Sequence, residues 1–122
     1  MTVALDPAVR DALERGGIVD ITTTGRQSGE PRRLEIVLHS HGGRFFISGK
    51  PGWARSWIAN LAADPNMTVH LKRGITADVP ARGRVITDRA EREAILPPIA
   101  AGWGYPVSVM VVGSPLIEVT ID

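Results

Sequence analysis

Ile18-Val19-Asp20-Ile21-Thr22-Thr23-Thr24-Gly25-Arg26-Gln27-Ser28-Gly29-Glu30-Pro31-Arg32-Arg33-Leu34-Glu35-Ile36-Val37-Leu38-His39 reads as strand, loop, strand. The run Ile18–Thr24 is rich in β-branched residues and forms the first strand. Leu34, Ile36 and Leu38 alternate with Arg33, Glu35, Val37 and His39, the pattern of a half-buried strand over Arg32–His39. Between the two, Gly25 and Gly29 permit positive φ, so consecutive backbone N–H groups can point into one concavity. Ser28 adds a hydroxyl, and Arg26 and Arg32 add planar forks suited to phosphate or carboxylate. Pro31 fixes the exit into the second strand. The simplest reading is an anion-binding loop; the plainer alternative is a hairpin turn with solvated arginines.

Outward from this stretch, Ser40-His41-Gly42-Gly43 turns the chain into a third strand, Arg44–Ser48, which completes an antiparallel meander. Upstream, Asp6-Pro7 caps a helix over Pro7–Arg15 that Gly16-Gly17 stops, with a small apolar face suited to a lid. Downstream, Gly49-Lys50-Pro51-Gly52 breaks the third strand, and Trp53, Trp57, Ile58, Leu61 and Ala62 make one stripe of a helix over Trp53–Ala63. Met67–Lys72 alternates as a fourth strand. Ile75–Ile86 is a fifth, interrupted by Pro80, which implies an edge or a bulge. Asp88-Arg89-Ala90-Glu91 is a capping box opening a third helix that Pro97-Pro98 ends. Gly102-Trp103-Gly104-Tyr105-Pro106 is an aromatic loop. Val107–Val112 reads equally as a strand or a buried helical turn, and Leu116–Ile121 is the final strand. The fold class is α+β, mainly β: a small antiparallel barrel with interspersed short helices. A doubly wound parallel sheet needs a helix between successive strands, and that fails twice.

The chain has 122 residues, the size of one domain spanning 1–122. Its 43% hydrophobic and 22% charged content is that of a soluble globular protein. A net charge of +1 supplies no global field toward nucleic acid or anionic lipid. The chain has no cysteine, which excludes disulfides, thiolate catalysis and Cys-ligated metal. Neither a basic leader nor a run of ~20 apolar residues is visible, so a cytoplasmic protein without membrane insertion is expected.

Lys50-Pro51-Gly52, ahead of a helix start, is a second anion-favouring element. In a meander, the segments after strands one and three lie at the same end, so Arg26, Arg32 and Lys50 can surround one anionic group. Neither element is a Walker or Rossmann fingerprint. Trp53 and Trp57, one turn apart, suit stacking on a flat ring, or else core or dimer packing. Tyr105 is a candidate proton donor, or else a surface or dimer contact. His39 and His41 have metal-like spacing but straddle a turn without a third ligand nearby, and read as a solvated hairpin. His70 falls on the strand face opposite Met67, Val69 and Leu71, exposed or held by hydrogen bonds. No nucleophile elbow and no carboxylate pair stands out, so an enzyme of this sequence draws its reactivity from an organic cofactor.

The stretch Thr22–Arg32 resembles the T-T-G-R-[KQ]-[ST]-G-x-P-R motif of the deazaflavin-dependent nitroreductases. Gly49-Lys50-Pro51-Gly52, Trp57 with Ala59-Asn60-Leu61, Asp64-Pro65 and Ser114-Pro115-Leu116 resemble further family motifs. Gln27 stands where many members have lysine. The resemblance implies a split barrel that binds coenzyme F420, with FMN as the alternative. It implies cofactor contacts from Arg26, Gln27, Ser28, Gly29 and Arg32, and from Lys50, Pro51, Gly52, Trp53 and Trp57. It also implies hydride transfer to an electron-poor small-molecule acceptor, such as a quinone, nitro compound or activated enone. A non-catalytic binding protein is the reading from a different class. A homodimer is expected from the clustered Trp and Met residues, and nucleic-acid binding is not.

Overall fold

The computed structural model describes residues 6–52 and 56–121. Asp6 Oδ1 accepts from Ala8 N at 2.8 Å and opens α1 (Pro7–Arg15), which Gly16 closes at a φ of 65°. Six strands follow in a closed antiparallel barrel: β1 (Gly17–Thr24), β2 (Pro31–His41), β3 (Arg44–Ser48), β4 (Asn66–Leu71), β5 (Ala77–Val85) and β6 (Leu116–Ile121). Around the barrel the order is β1-β2-β3-β6-β5-β4. The expected meander of the first three strands is present. The helices are α2 (Ser56–Ala63), α3 (Arg89–Trp103) and α4 (Val107–Gly113).

Strand alternation fills the barrel with Val19, Ile21, Ile47, Met67, Val69, Val79, Ala81, Ile117 and Val119. Helix α2 drives Trp57, Ile58 and Leu61 into the same core. The approach is close: a Cβ on Gly83 of β5 would lie 3.2 Å from Leu61 Cδ1 and 3.1 Å from Met67 Sδ. From α1, Ala12 and Leu13 join this core, so the helix is anchored by few but buried side chains. A second cluster covers the outside of β3 and β6, where Phe46 and Leu116 meet Ile95, Leu96 and Ile99 of α3 and Met110 and Val111 of α4.

Two local expectations change, and one open alternative is decided. Helix α3 runs through Pro97 and Pro98 rather than ending there. Both prolines are exposed, while Leu96, Ile99 and Ala100 are buried. The lost donors therefore fall on the solvent side, where water can serve the orphaned carbonyls of Glu93 and Ala94, and burial carries the helix on. Val107–Gly113 is helical. Pro80 lies inside the closed barrel, opposite Thr68 of β4, but β6 pairs only with Ala81–Val85, so this proline sits where β5 is paired on one side.

Strand β2 shapes the open side. It pairs with β1 over Pro31–Leu38 and with β3 only over Leu38–His41. The stretch Pro31–Val37 is thus unpaired toward β3, and the barrel splits there.

Candidate functional site

The loop after β1 is closed by its own hydrogen bonds. Gly25 N donates to Glu30 O at 2.8 Å and Gly29 N to Gly25 O at 2.9 Å. Glu30 N donates to Ser28 Oγ at 3.1 Å. These donors are spent internally, so the concave nest expected from Gly25 and Gly29 is not what the glycines build. Gly29 does take a positive φ, 71°. Gly25 is required by space instead: a Cβ there would lie 2.7 Å from Ser28 Oγ and 3.2 Å from Glu30 O. Recognition of an anion by this loop falls to its side chains.

Asn60 of α2 ties the loop to the barrel. Its Oδ1 accepts from Arg26 N at 3.1 Å and from the Arg26 guanidinium at 3.3 Å, and its amide reaches Thr23 Oγ1 at 3.5 Å. Asn60 is only 4% exposed. A buried amide with every group partnered fixes orientation, because any other pose would leave polar atoms orphaned.

A cavity of about 500 Å³ opens against this loop. Arg26, Gln27, Ser28, Arg32 and Arg33 line it, with Trp57 and Asn60 on the α2 side. Three of these are guanidinium groups and none of the lining residues is a carboxylate; Arg33 is also paired with Asp20 at 3.0 Å. A second cavity of about 400 Å³ runs along the unpaired part of β2, lined by Ile36, Val37, Ser48, Lys50, Trp57 and Trp103 among others. Leu34 and Trp57 line both cavities, so the two form one groove. Trp57 serves the core and the groove together: it is 9% exposed and packs with Ile58 and Leu61.

The segment that presents Lys50 is stapled to the turn between α4 and β6. Ser48 Oγ donates to Pro115 O at 2.7 Å, Ser114 Oγ to Gly49 O at 2.8 Å, and Gly52 N to Gly113 O at 2.5 Å. That turn is held in turn by Arg92 of α3, whose buried guanidinium donates to the carbonyls of Ile86, Met110, Val111 and Ser114. Burial pulls the Arg92 pKa below the ordinary arginine value, because the charged form loses its hydration. Sequence reasoning missed Asn60, Arg92 and Ser114. Only Asn60 and Ser114 carried a signal, through their place in family motifs.

The structure brings Arg26, Gln27, Ser28, Arg32 and Trp57 to one cavity, and Lys50 with Trp57 to the other. Gly29 turns the loop, and Pro51 and Gly52 lie against Gly113; none of the three lines either cavity. Trp53 lies outside the described residues, as does the helix start expected there. Tyr105 packs against the outer cluster and lines neither cavity. His70 is buried rather than exposed, bonded to Thr22 Oγ1 at 2.6 Å and to Asp78 Oδ1 at 2.7 Å. His39 accepts from Trp103 Nε1 at 3.1 Å and is no solvated turn residue.

The architecture recurs in solved structures. An F420-H2 dependent reductase (FDR-A) is 21% identical with a TM-score of 0.64, the match covering 98% of this chain and 99% of that one. A conserved hypothetical protein of Mycobacterium tuberculosis is 13% identical with a TM-score of 0.72 over 98% of this chain and 82% of that one. A FAD-binding protein of Mesorhizobium loti is 14% identical with a TM-score of 0.64 over 97% of this chain and 91% of that one. The fold is therefore that of the split-barrel flavin-binding class. The family model for F420H(2)-dependent quinone reductase matches residues 5–116. The chain belongs to that family: it is a deazaflavin-dependent oxidoreductase, and its cofactor is coenzyme F420. Among the described residues, no single helix is long and apolar enough to cross a membrane.

Proposed function

We propose that the arginine-lined cavity holds the phosphate and acidic tail of F420, and that the cavity along β2 takes its ring and an electron-poor organic acceptor. The acceptor classes are a quinone, a nitro compound or an activated enone. What carries this reading is the lining of the first cavity: Arg26, Arg32 and Ser28 converge without a carboxylate, and Trp57 joins that space to the second cavity. Guanidinium forks match phosphate oxygens bidentately, so these donors suit the ligand's anionic end. When bound and reduced, the cofactor supplies a hydride. The chain's own residues position and shield. Asn60 fixes Arg26, the Ser114 turn presents Lys50, and the apolar walls Leu34, Ile36 and Trp57 exclude water from the ring.

Titration of the purified protein with reduced and oxidised F420, followed by fluorescence, tests this. Saturable binding is expected, weakened about 10–100-fold in Arg32→Ala, the range of one or two charge-assisted hydrogen bonds. Lys50→Ala weakens it as well. Parent-like binding by both variants, or preference for FMN, sinks the assignment. A cytoplasmic homodimer belongs to the same proposal; the exposed Val107, Val109 and Val112 of α4 support pairing, and sedimentation velocity reads it.

A further inference from the structure

Trp103 ends α3, one residue before Gly104, whose left-handed φ of 75° stops the helix. Its indole lines the 400 Å³ cavity together with Lys50 and Trp57. Its Nε1 donates to His39 Nε2 at 3.1 Å, the two rings tilted by 58° with centroids 6.1 Å apart. An indole N–H donates and cannot accept. The bond therefore exists only while His39 Nε2 carries a lone pair, which places the imidazole proton on Nδ1. In a protonated His39 both ring nitrogens carry hydrogen, and two donors would face one another.

The surroundings favour the neutral ring. His39 lies opposite Phe46 of β3, and the Arg44 guanidinium sits 5.0 Å from the Phe46 ring centre. Arg44 is itself paired with Glu118 of β6 at 2.8 Å. Within β2, His41 stacks on His39 at 6.4 Å with an interplanar angle of 13°. Burial first, and the like charge of a protonated His41 second, hold the His39 pKa below its ordinary 6.5.

We propose that neutral His39 is a positioning residue that holds the Trp103 indole as a wall of the acceptor-side cavity, and that acidification releases the indole and weakens acceptor binding. The second half rests on the reading that the acceptor enters this cavity. The chemistry is a change of hydrogen-bond polarity at one nitrogen, with no covalent step.

Two readouts test it. The free protein, labelled with ¹⁵N at its three tryptophans, displays their indole N–H signals, and Trp103→Phe assigns the relevant one. In the parent this signal shifts as the pH falls below 6.5. In His39→Gln, whose amide oxygen accepts but does not titrate, it stays put. In His41→Gln the transition remains but its midpoint moves up, because the neighbouring cation is gone. A signal indifferent to pH in the parent, or one that titrates equally in His39→Gln, overturns the latch. Steady-state kinetics with reduced F420 and 2-methyl-1,4-naphthoquinone read the second half. The parent's KM for the quinone rises at least about threefold across the pH range in which the indole signal titrates, with kcat changing less, and His39→Gln is flat. A parent KM that ignores pH while the indole signal titrates overturns the link to the acceptor. Absence of any turnover would overturn the functional reading beneath it, whereas the indole titration, read without cofactor, judges the latch by itself.

Discussion

Asn60 does for the basic loop what its arginines cannot do for themselves. One buried oxygen accepts from both the backbone and the guanidinium of Arg26, so the direction of that side chain is decided before any ligand arrives. Replacing Asn60 with Leu removes the acceptor and leaves Arg26 N without its partner. Stability should fall by about 1–3 kcal/mol in urea unfolding, and F420 should bind about tenfold more weakly with the arginines still present. Unchanged affinity in a destabilised Asn60→Leu protein would show that Arg26 needs no preorganisation. Gln27 offers the opposite test. It lines the same carboxylate-free cavity as a neutral side chain. Lysine at this position adds a point charge beside the proposed anion, so Gln27→Lys should tighten F420 binding about 3–10-fold at low salt, with the gain shrinking as ionic strength rises.

At the scale of elements, the groove is held from behind. Arg92 links α3, α4 and the turn before β6, and that turn carries the Ser114 and Gly113 contacts that place Lys50. Arg92→Met keeps the length of the side chain and removes the donors, leaving buried carbonyls at Ile86, Met110, Val111 and Ser114. A loss of about 3–5 kcal/mol is expected, read as a lower urea midpoint. Nothing in the sequence marked this arginine, because Arg89-Ala90-Glu91-Arg92-Glu93 has the charge pattern of a solvated helix face. Periodicity and capping located the elements well where both signals were local: α1, β3 and β6 begin and end where their patterns do. They failed where a distant contact outweighed a local rule. Pro97-Pro98 stopped nothing because the opposite face of α3 was already committed to the core. The placing of Arg26 and Arg32 on one loop was legible from strand order alone, whereas Lys50, expected beside them, lines the neighbouring cavity instead. The grip of Asn60 on Arg26, 34 residues away, was not legible, since it depends on how α2 crosses the barrel mouth.

Over the whole molecule, charge is arranged in two straps. Asp20 of β1 accepts from Arg33 of β2 and from Lys72 just past β4, and Lys72 also reaches Glu35 of β2. On the other side, Glu118 of β6 accepts from Arg44 of β3 and Arg84 of β5, and Arg84 continues to Glu91 of α3. Between them the straps touch five of the six strands and the residue that follows the remaining one, β4. Hydrogen bonding from Lys72, then Arg33, holds the Asp20 carboxyl below its ordinary 3.8. Arg44 does the same for Glu118, and Arg84 for Glu91, relative to 4.5. Each of these carboxyls therefore binds a proton less readily in the folded chain than in the unfolded one. Stability from them is fully present above the ordinary carboxylate values and drains away as the pH falls through the depressed ones. Thermal unfolding by circular dichroism should give a melting temperature that is level near neutrality and drops as the pH passes below 4.5. Glu118→Gln, which removes the shared acceptor of Arg44 and Arg84, should start lower and fall less steeply, and added salt should narrow the gap between the two curves. Parallel curves for parent and Glu118→Gln would mean that the β3–β6–β5 strap contributes nothing to the acid limit of the barrel.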